Sequence, residues 1–272
     1  MSPLLTLAIQ AARAAGEVIC SGAGQLNVVE QKGVGDLVSQ VDRDADRAAI
    51  EVLESASSLP ILSEELNSDE AECDNMWIVD PLDATSAFLM QAGPQYPSTL
   101  VALREAGRTK LGVVFFPLTN ECFYAERGFG AWQDGQRIVC DSDEVLSEVW
   151  VEMNQYGNAA HETAYFAELR NHLRSVQGAR LVTTNVPHSG VAVRIASNTN
   201  SLAVAIHDNR REHVKQAPWD IAAPQVILEE AGGVFVNPEG ETTNPFRAEP
   251  IIVARSRRLA EQVVGLRLRQ SA

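Results

Sequence analysis

The chain has 272 residues, 45% of them hydrophobic, and a formal net charge of −14. That apolar content suffices for a sizeable core, in one large domain or in two lobes that share it. So acidic a protein disfavours nucleic-acid polymers as partners, and it would repel a phosphorylated metabolite too unless cations or backbone amides meet it.

Leu5, Ile9, Ala12, Ala15 and Ile19 recur at helical spacing and predict a surface helix over residues 3–21. Arg13 and Glu17 interrupt its apolar run and no basic stretch precedes it, so it does not read as a signal peptide. No segment reaches the ~18 uncharged apolar residues of a membrane span. Cys20, Cys73, Cys122 and Cys140 lie far apart, with no CxxC pair and no zinc spacing, as idle thiols of a reducing compartment do. The expectation is a cytoplasmic protein without a membrane partner.

GDLVSQVD (35–42) reads as a short strand, and a helix follows from about Asp42 to Ser55. LPILSEEL is a short apolar strand ending in Glu64 and Glu65, and MWIVD is another. STLVALREAG, RTKLGVVFFP and ECFYAERG are strand-sized runs, and AWQDGQRIVC carries the Asp-Gly pair of a hairpin. The first half therefore predicts two helices and a largely antiparallel sheet. The second half alternates. SEVWVEM, ARLVTT, SLAVAIH, GVFV and EPIIVA read as strands. Helices are read in NAAHETAYFAELRNHLRS, SGVAVRIAS, WDIAAPQVILEEAGG and SRRLAEQVVGLRL. Such alternation predicts an α/β lobe. A seam near residue 145 divides an N-terminal lobe, 1–145, from a C-terminal lobe, 146–272, within one continuous structural unit.

The stretch WIVDPLDATSAF (77–88) places two carboxylates three apart at the end of a buried strand. Pro81 fixes φ and turns the chain. Asp83 then falls where it would N-cap a helix from Ala84 to about Met90, with the Ala84 and Thr85 amides pointing outward. Carboxylates bind a hard cation and free amides bind an anion, a combination suited to a metal-bridged phosphate. Taken alone, the pair is equally a strand end and a cap. Glu64 and Glu65 alone read as solvated, Asp220 alone as the cap of an apolar helix, and Asp36 and Asp42 as turn and cap residues. Four acidic corners, each at an element boundary, point together to an oxygen-ligated Mg²⁺ site.

ILSEE, WIVDPLDAT and WDIAAPQVILEEAGG, in that order, resemble the inositol monophosphatase superfamily of Mg²⁺-dependent, lithium-sensitive phosphatases. GDLVSQVD fits that family's upstream acidic element. The resemblance implies an α-β-α-β-α sandwich, a homodimer and two or three Mg²⁺ ions per site. It implies that Glu64 ligates the first and third metals and that Asp80 bridges the first two. The Leu82 carbonyl would complete the first, and Asp83 and Asp220 would hold the second. Thr85, hydrogen-bonded to Asp42, would orient the attacking water, and the Ala84 and Thr85 amides would bind phosphate oxygens. Two metals about 3.5–4 Å apart serve the attacking and the leaving oxygen in such sites. No side-chain nucleophile is needed, and the sequence has neither GxSxG nor a P-loop.

The chain departs from the family pattern at Ala84, where relatives carry glycine, and at Ser86 and Ala87. If this position needs positive φ, alanine carries strain of about 1 kcal/mol or more; as the first residue of a helix, the preferred reading, Ala84 is harmless. Pro224 replaces a common glycine and is expected near the end of a helix's first turn, where a missing N–H costs least. Arg210, Arg211, His213 and Lys215 could contact a second anionic group, and Glu212 could face a sugar hydroxyl; an ordinary solvated loop is the alternative. The implied activity is hydrolysis of a small phosphorylated metabolite, such as an inositol or sugar phosphate or a 3′-phosphonucleotide. A histidinol-phosphate or 5′-nucleotide phosphatase is a second possibility. A catalytically degenerate phosphometabolite-binding protein is the rival of another class.

Overall fold

The computed structural model describes residues 1–25, 29–33, 36–69, 71–140, 143–154, 163–184, 188–198, 202–207, 217–247 and 249–268. The chain opens with α1 (Pro3–Gly22), β1 (Val29–Gly33), β2 (Asp36–Ser39) and α2 (Gln40–Glu54). Next come β3 (Ile61–Ser63), β4 (Met76–Asp83), the short α3 (Thr85–Leu89), β5 (Ser98–Glu105) and β6 (Arg108–Phe116). They are followed by β7 (Glu121–Glu126), β8 (Gly130–Gln133) and β9 (Gln136–Ile138). The second half holds β10 (Trp150–Asn154), α4 (Ala164–Ser175), β11 (Arg180–Thr184), α5 (His188–Ala196) and β12 (Leu202–His207). It closes with α6 (Pro218–Ala231), β13 (Val234–Val236), β14 (Ile251–Ala254) and α7 (Arg257–Leu268).

Strands β3 to β9 form a seven-stranded sheet in sequence order, antiparallel except for the parallel β3–β4 pair. The second sheet runs β11-β10-β12-β14-β13, with its first three strands parallel. Strand β4 explains why the large sheet is covered on both faces. Trp77 and Val79 pack with α1 and α2, while Met76 and Ile78 face α5 and α6. A strand buried on both sides shows no polar alternation, and MWIV has none. The second sheet repeats the pattern. Ile251 and Val253 face α5 and α6, and Ile252 and Ala254 face α4 and α7. The five layers are thus α1/α2, the seven-stranded sheet, α5/α6, the five-stranded sheet, and α4/α7. Full burial of each large aliphatic or aromatic side chain in these cores contributes about 1.5–3 kcal/mol.

Helix α1 is long and apolar enough to cross a membrane by length and composition. Here its apolar face, Ala8, Ala12, Ala15 and Ile19 among others, packs on α2 and the large sheet. The Asp-Gly hairpin forms between β8 and β9, with Asp134 at φ 49° and Gly135 at φ 82°, as a two-residue turn of that type needs. The β1–β2 ribbon is an element that the sequence reading had as one strand only.

Glu152 in β10 is an outlier within this core. It lies on the face opposite Val151 and Met153 and is 1% exposed. Burial pushes its carboxyl up to about 7. The folded state therefore holds the proton more tightly than the unfolded chain, and stability falls as pH rises from the unfolded value through about 7. Glu152→Gln is expected to stabilise the protein by about 3 kcal/mol at pH 8 and by under about 1 kcal/mol at pH 5. Thermal unfolding at the two pH values checks this, and an equal gain at both would refute it.

Candidate metal centre

The site forms where the C-terminal end of β4 meets the first turn of α6. Asp80 is 1% exposed on β4, and its Oδ1 accepts from Leu82 N at 3.1 Å, a bond that bends the chain after Pro81. Asp83 is half-buried at the last position of β4, opposite Ser98 of β5, whose Oγ donates to Asp83 Oδ2 at 3.4 Å. Asp83 is thus a strand residue and not the helix cap that the sequence suggested. The cap is Ala84.

Asp220 comes from α6, whose N-cap is Ala217. Asp220 therefore stands third in the first turn rather than at the cap, where the helix dipole still favours a carboxylate. Gly112 in β6 lets α6 come this close to the sheet. A Cβ there would lie 2.7 Å from the Ala223 Cα and carbonyl oxygen. Pro224 sits in the second turn and not at the end of the first, so it removes the donor that would have met the Asp220 carbonyl.

Asp80, Asp83 and Asp220 each offer an oxygen, and these oxygens all lie within 4.8 Å of one another. Burial above all pushes the Asp80 carboxyl well above its usual range. The charges of Glu64, Asp83 and Asp220 and a hydrogen bond shared with Asp220 push it further. So much negative charge in a desolvated corner calls for a cation. The trio is made of oxygen donors alone and fits a hard divalent ion. Glu64, half-buried just after β3, stands outside the trio but near enough for its charge to act on Asp80.

Behind the cluster, Thr85 Oγ1 donates to Asp42 Oδ1 at 2.8 Å and approaches the Leu82 carbonyl at 3.1 Å. The Leu82 carbonyl thereby faces the Thr85 hydroxyl. Asp42 is the third residue of α2. Its Oδ2 accepts from Ser39 N at 2.8 Å and from Ser39 Oγ, reaching back over the helix start. Burial raises the Asp42 carboxyl most, against the opposing hydrogen bonds from Ser39 and Thr85. The helix begins at Gln40, two residues before the position read from sequence.

Ala84 has φ 71° and ψ 39°, the left-handed region. The expectation of a harmless first helical residue is therefore overturned: the chain needs positive φ here to turn from strand into α3. Alanine in that region costs about 1–2 kcal/mol, of which glycine's larger unfolded-state entropy would return about 0.5–1. Ala84→Gly is expected to stabilise the protein by roughly 0.5 kcal/mol, and Ala84→Val to destabilise it by more than about 1 kcal/mol. Denaturant midpoints test both, and a lower midpoint for the glycine variant would rule out the strain. Arg211 and Glu212, with the rest of the Arg210–Lys215 segment, lie outside the described residues.

Ser39, Ser98 and Asp46 support this corner but were not singled out from sequence. Asp46 follows Asp42 by one helical turn on the buried face of α2, beside Ala45 and Ala49. That spacing was the available signal.

Residues 1–271 match the family described as the Inositol monophosphatase family. The chain is 30% identical to the Nus factor SuhB of Haemophilus influenzae, covering 98% of this chain and 97% of that one. It is 31% identical to a fructose-1,6-bisphosphatase/inositol-1-monophosphatase of Thermotoga maritima, covering 89% and 88%. The solved structure of a Thermotoga maritima IMPase superposes with a TM-score of 0.79 at 26% identity, over 97% of this chain and 96% of that one. The chain belongs to the inositol monophosphatase family, and with it to the phosphatases.

Proposed function

We propose that the protein hydrolyses a small phosphate monoester with Mg²⁺ held by Asp80, Asp83 and Asp220, and with Glu64 completing the acidic set. The observation that carries this reading is the convergence of the three aspartates from β4 and α6 within 4.8 Å. When bound, the divalent ions supply the positive charge that offsets the carboxylates and polarises the ester. Asp80 and Asp83 orient their oxygens from a strand end tied to β5, so little reorganisation accompanies binding. Thr85 follows Asp83 by two residues and its hydroxyl is held by Asp42, so that it can orient the attacking water. The first bond within α3 runs from Phe88 N to the Ala84 carbonyl. The Thr85 amide therefore precedes the helix's own pattern and is available to a phosphate oxygen, and the Ala84 amide lies beside it.

The substrate is read as a metabolite carrying one or two phosphates on a small polar body. A panel tests both the activity and its class: inositol 1-phosphate, histidinol phosphate, adenosine 3′,5′-bisphosphate, a 5′-mononucleotide and fructose 1,6-bisphosphate. Phosphate release from at least one, restored by Mg²⁺ after chelation, is the expected result. Measurable binding with no release from any of them would reject hydrolysis in favour of a sensor or partner role.

A further inference from the structure

Asp46 is fully buried in α2, and the hydrolytic reading gives it no task. Its neighbours on that face include Ala45, Ala49 and Leu53, a setting in which an isolated carboxylate is costly. Its Oδ2 accepts three hydrogen bonds, from Ser63 Oγ at 2.8 Å, Leu66 N at 2.9 Å and Glu65 N at 3.2 Å. Ser63 Oγ also accepts from Asn67 N at 3.1 Å. The turn after β3 is therefore wound around one carboxylate oxygen. Glu64 sits between two of that oxygen's donors, Ser63 and Glu65. Its own amide donates to the Val79 carbonyl of β4 at 3.2 Å, one residue before Asp80.

Helix α2 thus grips both loops that flank the cluster. Asp42 holds Thr85 after β4, and Asp46, one turn on, holds the Glu64 turn after β3. β3 and β4 are parallel neighbours, so these turns leave the sheet side by side. A rigid helix carrying both carboxylates sets one turn relative to the other. We infer that Asp46 is a positioning residue that presents Glu64 to the Asp80–Asp83–Asp220 cluster, so that Mg²⁺ affinity depends on a buried carboxylate that touches no ion. This rests on the site reading above.

The test is calorimetric Mg²⁺ titration of the full chain, read beside activity at limiting and saturating Mg²⁺. Asp46→Ala is expected to weaken Mg²⁺ binding about 10–100-fold, as loss of an outer partner of a ligand does. The activity lost at limiting Mg²⁺ should largely return at saturation. Asp46→Asn, which retains an oxygen acceptor, should recover most of the affinity. The pair Asp46→Ala/Glu64→Gln should bind no more weakly than Glu64→Gln alone, because both changes remove one contribution. Should the alanine variant not fold, Ser63→Ala is read instead, with a several-fold loss expected. A lower melting temperature with unchanged Mg²⁺ affinity, or additive losses in the pair, overturns the inference while leaving the site reading intact. If Asp83→Asn also leaves Mg²⁺ binding unchanged, the site reading falls and takes this inference with it.

Discussion

Asp83→Asn is expected to lower phosphate release by at least about 10²-fold at saturating Mg²⁺, equivalent to about 2.7 kcal/mol of transition-state stabilisation. The substitution keeps the size of the side chain and removes one negative charge from a three-carboxylate cluster. Because Asp83 is half-buried at the end of β4, its replacement leaves the layered cores untouched. Asparagine also retains an oxygen for the Ser98 hydroxyl. The loss should therefore appear in kcat/KM and in Mg²⁺ affinity, with circular dichroism unchanged. Retention of most of the wild-type rate would show that Asp83 merely ends a strand.

The layered cores were largely legible in the sequence. Heptad-like spacing marked α1, the two-sided apolar run marked β4, and Asp134-Gly135 marked the hairpin. These signals are local, which is why they survive without structure. The β1–β2 ribbon was half missed because VEQKG shows neither alternation nor an apolar run. The Asp83–Ala84 boundary was misplaced for a different reason. A left-handed alanine has no signature of its own, since the residue type argues against the conformation it adopts; the glycine of relatives at this position was the available hint. Asp46 was passed over among the charges of DRDADR, although it follows Asp42 by one helical turn; the fold shows that both are buried. The meeting of Asp220 with Asp80 and Asp83 depends on tertiary structure; the sequence offered only acidic residues recurring at element boundaries, and the individual ligand roles came from family resemblance.

The same electrostatics predict that the site weakens the metal-free fold. Two like charges 4.8 Å apart repel by about 3.5 kcal/mol at an effective dielectric of 20. Proton uptake, favoured by the raised Asp80 carboxyl, relieves part of this and leaves the rest as a penalty on the metal-free fold. Asp80→Asn should remove it. Its Oδ1 can still accept from Leu82 N, and the new amide can donate to the oxygens of Asp83 or Asp220. In chelator the variant is expected to melt several degrees above the wild type, at roughly 2–4 °C per kcal/mol of relieved repulsion for a chain near this size. Saturating Mg²⁺ should then raise the wild-type melting temperature by several degrees and the variant's by little, with activity abolished in the variant. Scanning calorimetry in chelator and in Mg²⁺ separates the two effects. A variant less stable than the wild type in chelator would mean that Asp80 supports the fold through its hydrogen bond more than it strains the fold through its charge. The opposite result ties lost stability to the chemistry, because a cluster that binds a cation well must first be held together without one.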